Sequence, residues 1–120
     1  MKLEMKSIRD RGIPDKERVV MRALARIDIG QFALIEAGYS NGEINTETGD
    51  CFWFPDKVID EGDWVVLYTK PGKSKEKVQK SGSLAHFFYW DKSRAKWSSN
   101  SKAPVVLQVD SWSFLPPDNT

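Results

Sequence analysis

Turn-forming clusters cut this chain into short runs, and that segmentation limits the fold more than any other feature. Asn41-Gly42, Pro55-Asp56, Asp60-Glu61-Gly62-Asp63, Pro71-Gly72 and Pro116-Pro117 punctuate the sequence. Gly, Pro, Asn and Asp supply the backbone angles of tight turns. Between the clusters lie brief β-branched and aromatic runs, which predict strands. Trp64-Val65-Val66-Leu67-Tyr68-Thr69 is the clearest. Val105-Val106-Leu107-Gln108-Val109-Asp110 is a second, with a continuation through Trp112 and Phe114 left open. Cys51-Phe52-Trp53-Phe54 is a short aromatic strand stopped by Pro55. Residues 32–37 alternate in the same way. Leu84 to Trp90 reads as a strand or a buried aromatic turn. Residues 38–50 read as turn chemistry throughout, and residues 70–83 as a Lys-rich loop. Residues 19–29 carry two signals. Their alternation suits a strand, whereas Ala23-Leu24-Ala25-Arg26 suits a helix. The strand is favoured, because Gly30 leads at once into a second alternating run. The pattern as a whole predicts an all-β sandwich or barrel of about six to eight short strands.

A chain of 120 residues is near the commonest size of one domain and can bury a core without staples. Five Trp, six Phe and three Tyr supply that core or a binding surface. Trp53 and Trp64 fall on alternating strands and are expected in the core. Trp97 lies in a polar stretch and either caps the core or is exposed at a binding surface. The formal net charge of +1 points to no polyanion partner at the level of the whole chain, so only local clustering of charge would create one. The single cysteine, Cys51, excludes an internal disulfide. No apolar run follows Met1-Lys2-Leu3-Glu4, and no stretch has the roughly 20 apolar residues of a membrane span. A cytoplasmic location without membrane contact is therefore expected. Residues 1–18 are polar, with Gly12 and Pro14 interrupting, and read as a flexible or partly helical N-terminal arm. Residues 19–115 are then the folded domain and 116–120 a C-terminal tail.

No arrangement of residues announces catalysis. His86, the only histidine, sits in an aromatic run and reads as a strand histidine satisfied by a neighbour. Cys51 reads as a small buried thiol, since a nucleophile needs a base or a cationic field beside it. Asp56, Asp60, Glu61 and Asp63 lie close together without the alternate-position spacing of a calcium loop, so no metal is expected. The glycines lack the spacing of a phosphate loop, so no cofactor is expected either. The sharpest feature is basic. Lys70, Lys73, Lys75, Lys77 and Lys80 face one acid, Glu76, in a single segment. Lys92, Arg94, Lys96 and Lys102, with Trp97 among them, occupy a second polar segment. Together they form the candidate binding surface. Clustered cations hold phosphate backbones, and neighbouring tryptophans can stack on bases. The plainer reading is a pair of solvated loops.

The order of several short segments is similar to that of the lamin-tail-type domains. An alternating run ends in Phe32-Ala33-Leu34-Ile35-Glu36, and Phe54-Pro55-Asp56 follows after a turn-rich link. Then come Ile59-Asp60-Glu61-Gly62-Asp63-Trp64-Val65-Val66-Leu67-Tyr68 and, near the end, Trp97-Ser98-Ser99-Asn100 before Pro104-Val105-Val106-Leu107-Gln108-Val109-Asp110. The family's Leu-x-Gly-Trp turn is missing, with Asn41 to Asp50 in its place, and Ser111-Trp112-Ser113-Phe114 stands where the family has an Asp-Gly turn. The resemblance implies an immunoglobulin-like β-sandwich over about residues 19–114 and a largely non-enzymatic role in protein contacts, in some members contacts with DNA.

The reading that follows is a non-catalytic binding or scaffolding module that makes protein–protein contacts. Its sheet edges leave a dimer open. The alternative is a nucleic-acid-associated module using the Lys-rich segments 70–80 and 92–102. A third reading, an enzyme with an atypical Cys51/His86 site, ranks last.

Overall fold

A computed structural model describes residues 1–118. Ten strands follow in order: β1 (Leu3–Arg9), β2 (Arg18–Ala23), β3 (Ile27–Asp28), β4 (Phe32–Ser40), β5 (Glu43–Trp53), β6 (Val58–Ile59), β7 (Trp64–Tyr68), β8 (Lys75–Val78), β9 (Leu84–Tyr89) and β10 (Lys102–Gln108). One turn of 3-10 helix, Ile29–Gln31, links β3 to β4. A five-stranded sheet runs β1-β2-β7-β9-β8 and a three-stranded sheet β10-β4-β5, with β3 and β6 forming a small ribbon. All pairs are antiparallel except β7 with β9. The chain is therefore all-β and sandwich-like, as its segmentation requires. Among the described residues no helix is long and apolar enough to cross a membrane.

Strand alternation builds the core between the two larger sheets. Val19, Met21, Val65, Leu67 and Phe88 point inward from the five-stranded sheet. They meet Phe32, Leu34 and Phe54, with Trp90 and Trp97 joining from the loop after β9. Each such side chain contributes about 1.5–3 kcal/mol when fully buried. Phe54 packs edge-on against both Phe52 and Phe88, at 5.1 Å in each case.

Four parts of the chain differ from the sequence-based expectation. The expected N-terminal arm is instead an integral strand, β1, with Leu3 buried against the core. Leu3 and Met5 face inward, and a bulge between Met5 and Ser7 shifts the next inward residue to Ile8. That break hides the period-two signal. Residues 43–50, read as turn, continue the long hairpin of β4 and β5. Only Asn41 and Gly42 turn, with φ of 52° and 78°, the left-handed pair of a tight hairpin. This stretch of β5 is exposed on both sides and so carries no apolar alternation. The Lys-rich loop contains β8, paired to β9. Beyond β10 the chain leaves the sheet, so Trp112 and Phe114 are not strand residues. The expected tail over 116–120 is described as far as residue 118; residues 119–120 lie outside the described residues.

One buried carboxylate ties the layers together. Glu17 is fully buried. Its Oε1 accepts from the Thr69 hydroxyl at 2.6 Å and from the Lys96 N–H at 2.8 Å. Its Oε2 accepts from the N–H groups of Gly12 at 2.8 Å and Trp97 at 3.1 Å. The carboxylate thus joins the turn before β2, the end of β7 and the loop before β10. A Glu17→Gln substitution replaces one of these oxygens with an amide NH₂ that faces two donors. We expect it to lower unfolding stability by about 3 kcal/mol in chemical denaturation. A loss under about 0.5 kcal/mol, the scale of an ordinary surface change, would mean that the carboxylate does not organise the fold.

Candidate ligand-binding face

The residues that alternate with the core on β2, β7 and β9 form the outer face of the five-stranded sheet. Register sets their neighbours. Arg18 lies opposite Tyr68, Val20 opposite Val66 and Arg22 opposite Trp64. Val66 lies beside Phe87 and Tyr68 beside Tyr89. On the edge strand Lys75 faces Phe87 and Lys77 faces Ala85. The result is a bed of aromatic rings flanked by cations.

Those rings hold the cations in place. Tyr68 and Tyr89 stack at 5.4 Å with only 10° between their planes. Lys70 Nζ lies 4.9 Å from the Tyr68 centroid, and the Arg18 guanidinium carbon lies 5.7 Å from it. Arg22 lies over Trp64 at 5.0 Å and Lys75 over Phe87 at 6.0 Å. Each such contact is worth about 0.5–1 kcal/mol at an exposed site. That is enough to restrict long side chains without neutralising them. Gly72 closes one end of the bed, because a Cβ there would fall 2.4 Å from Tyr89 Cδ1. Arg18 is paired with Asp10 at 2.6 Å. Among the described residues Arg9, Arg22, Lys70, Lys75 and Lys77 have no ion-pair partner. Two shallow grooves of about 330 and 290 Å³ share Phe87 as a wall. Lys70, Lys75 and Lys77 line the first, Arg9 and Arg18 the second.

The two Lys-rich segments part company here. They meet at their starts, where the Lys92 N–H donates to Thr69 O at 2.9 Å. Lys70, Lys75 and Lys77 then border the sheet face, and Lys73 and Lys80 are exposed. Lys96 turns inward instead, 4.7 Å from the Trp90 centroid, and binds Asp50 at 2.8 Å and Glu36 at 3.2 Å. Lys92 also pairs with Asp50, at 3.3 Å. The Asp50 carboxyl is held below its ordinary value by the Lys96 hydrogen bond and charge, and then by Lys92. Arg94 lines the cleft beside this cluster. Lys102 begins β10 in the other sheet. Trp97 is buried and caps the core.

The sequence pointed to Lys70, Lys75 and Lys77 but missed Arg9, Arg18, Arg22, Tyr68, Phe87 and Tyr89. Their signal was available as the outward half of each alternating strand. Two tryptophans expected in the core lie elsewhere. Trp53 is 48% exposed, its Nε1–H donating to Gly30 O at 2.8 Å and its ring meeting Trp112 edge-on. Trp64 is half-buried on the outer sheet face beneath Arg22.

His86 points the other way, into the interior, with Nε2 2.9 Å from Asp63 Oδ2. Burial pushes the Asp63 carboxyl up, but hydrogen bonds from His86, the Leu84 N–H and the Asp60 N–H outweigh it and leave the group below its ordinary value. Cys51, expected to be buried, is instead exposed on β5 of the other sheet, paired with Ile35, because the outer part of that strand faces solvent on both sides. Partial burial pushes that thiol up, away from the thiolate. Compared with protein-family models, with curated proteins and with solved structures, the chain matches none. Cys51 should alkylate near neutral pH no faster than a free thiol, in a timed reaction with iodoacetamide. A markedly faster rate would restore the reading of an activated nucleophile.

Proposed function

We propose that this chain is a non-catalytic binding module that holds the phosphate backbone of a nucleic acid on the outer face of its five-stranded sheet. The observation that carries the reading is a set of unpaired cations steadied on aromatic rings across one continuous surface. Phosphates reward such an arrangement, because each neutralised charge releases condensed counterions. The rings are themselves covered by lysine and arginine, which favours backbone contact over reading of bases.

A second reading, a protein partner, has its own support. Trp53, Leu107, Trp112, Phe114 and Leu115 are exposed on and beside the three-stranded sheet. Clustered apolar surface of this kind marks protein contacts.

The two readings separate by salt. Oligonucleotide affinity should fall steeply between about 50 and about 200 mM salt. Replacing Arg22, Lys75 and Lys77 together with Ser should reduce the log–log slope by about 2–3. Replacing Lys92, Arg94 and Lys102 should change it less. No binding at about 50 mM salt would sink the nucleic-acid reading and leave the apolar face as the working surface.

A further inference from the structure

We propose that His86 and Glu76 form a protonation-operated clamp that docks β8, and with it Lys75 and Lys77, onto the anion-binding face. The coupling to binding rests on the nucleic-acid reading above; the clamp itself does not.

The argument begins with an unpaired atom. Asp63 accepts at Oδ2 from His86 Nε2, so in the neutral ring the hydrogen sits on Nε2. Nδ1 is then a bare acceptor, and it is buried without a hydrogen-bond partner among the described residues. Facing it at 3.4 Å is Glu76 Oε2, a second acceptor. Two lone pairs therefore oppose each other across the pairing of β8 with β9, where Glu76 is the register partner of His86. A proton taken from solvent by Nδ1 turns that opposition into a charge-assisted hydrogen bond from the imidazolium to the carboxylate.

Three charged groups bear on the ring. Asp63 approaches from the turn before β7 and Glu76 from β8. Lys57, from the segment before β6, places its ammonium 3.1 Å from the same Glu76 oxygen. Lys57 pairs with Glu76 whatever the state of the ring, while only protonated His86 gives Glu76 a donor on the sheet itself.

β8 is the strand this contact would control. It has four residues, all exposed, and among the described residues its one sheet neighbour is β9. Such an edge opens at low cost, and its opening admits the proton. Protonation of the ring then ties β8 down. Raising the pH releases it. Because Lys75 and Lys77 alternate with Glu76, they sit on the outer face whenever Glu76 is docked.

Hydrogen exchange tests the clamp directly. Amide protection over residues 75–78, corrected for intrinsic rates, is followed across a pH series from about 8 down to about 5. The wild type should gain about tenfold protection toward the lower end. Glu76→Gln should lose that response; its side chain is 49% exposed, so the variant should fold. His86→Gln is the companion variant and should also be flat. Flat protection in the wild type, or a full response in Glu76→Gln, overturns the proposal. Oligonucleotide affinity should strengthen on acidification in the wild type and much less in Glu76→Gln. Equal strengthening in both overturns the coupling. A clamp that responds as expected in a protein that binds no oligonucleotide at any pH sustains the clamp and sinks the nucleic-acid reading instead.

Discussion

The Glu17 carboxylate is the contact on which the rest of the arrangement depends. Among the described residues it has no cation beside it, only four neutral donors from three separate stretches of chain. An ionised carboxylate taken out of water is costly unless each oxygen is fully hydrogen-bonded. Both oxygens here are, and each accepts twice. The cost of burial is offset only when all three stretches are in place together, so the carboxylate selects one packing. It fixes Trp97 over the end of the core. It also fixes Thr69, whose neighbours Tyr68 and Lys70 open the cationic face.

The same strands serve two surfaces of opposite character. On β9, His86 and Phe88 point inward while Ala85, Phe87 and Tyr89 point outward, because successive strand residues alternate. The interior polar contacts hold the strands, and the outer residues inherit their spacing. Lys96 shows the converse. Its charge is spent inside, between two tryptophans and two carboxylates, so it steadies the loop before β10 rather than adding to the surface field.

Much of the fold was legible in the sequence. The runs around Val65, Val105 and Phe32 became β7, β10 and β4, because each is a short β-branched or aromatic run bounded by turn residues. Residues 19–23 became part of β2, held by pairing with β1 and β7, while Leu24 to Arg26, where most of the helical signal lay, form a bend that breaks the expected strand before β3. β1 was hidden by its bulge, and the outer part of β5 by exposure on both faces. The site was legible only in part. Lys70, Lys75 and Lys77 stand out as a cluster, whereas Arg9, Arg18 and Arg22 are scattered along the chain and converge only through strand register. Nor does any local pattern say that Lys96 meets Asp50 and Glu36, which lie far away in sequence. Long-range pairing, not composition, decides which lysines remain free.

The central claim is that the outer face of the five-stranded sheet is the working surface. Amide shift mapping during titration with a short oligonucleotide tests it most directly. The claim requires the largest changes at Arg22, Tyr68, Lys70, Lys75, Phe87 and Tyr89, with Cys51, Trp53 and Leu107 unmoved. Changes centred on Trp53, Leu107 and Trp112, with the cationic face silent, would contradict it.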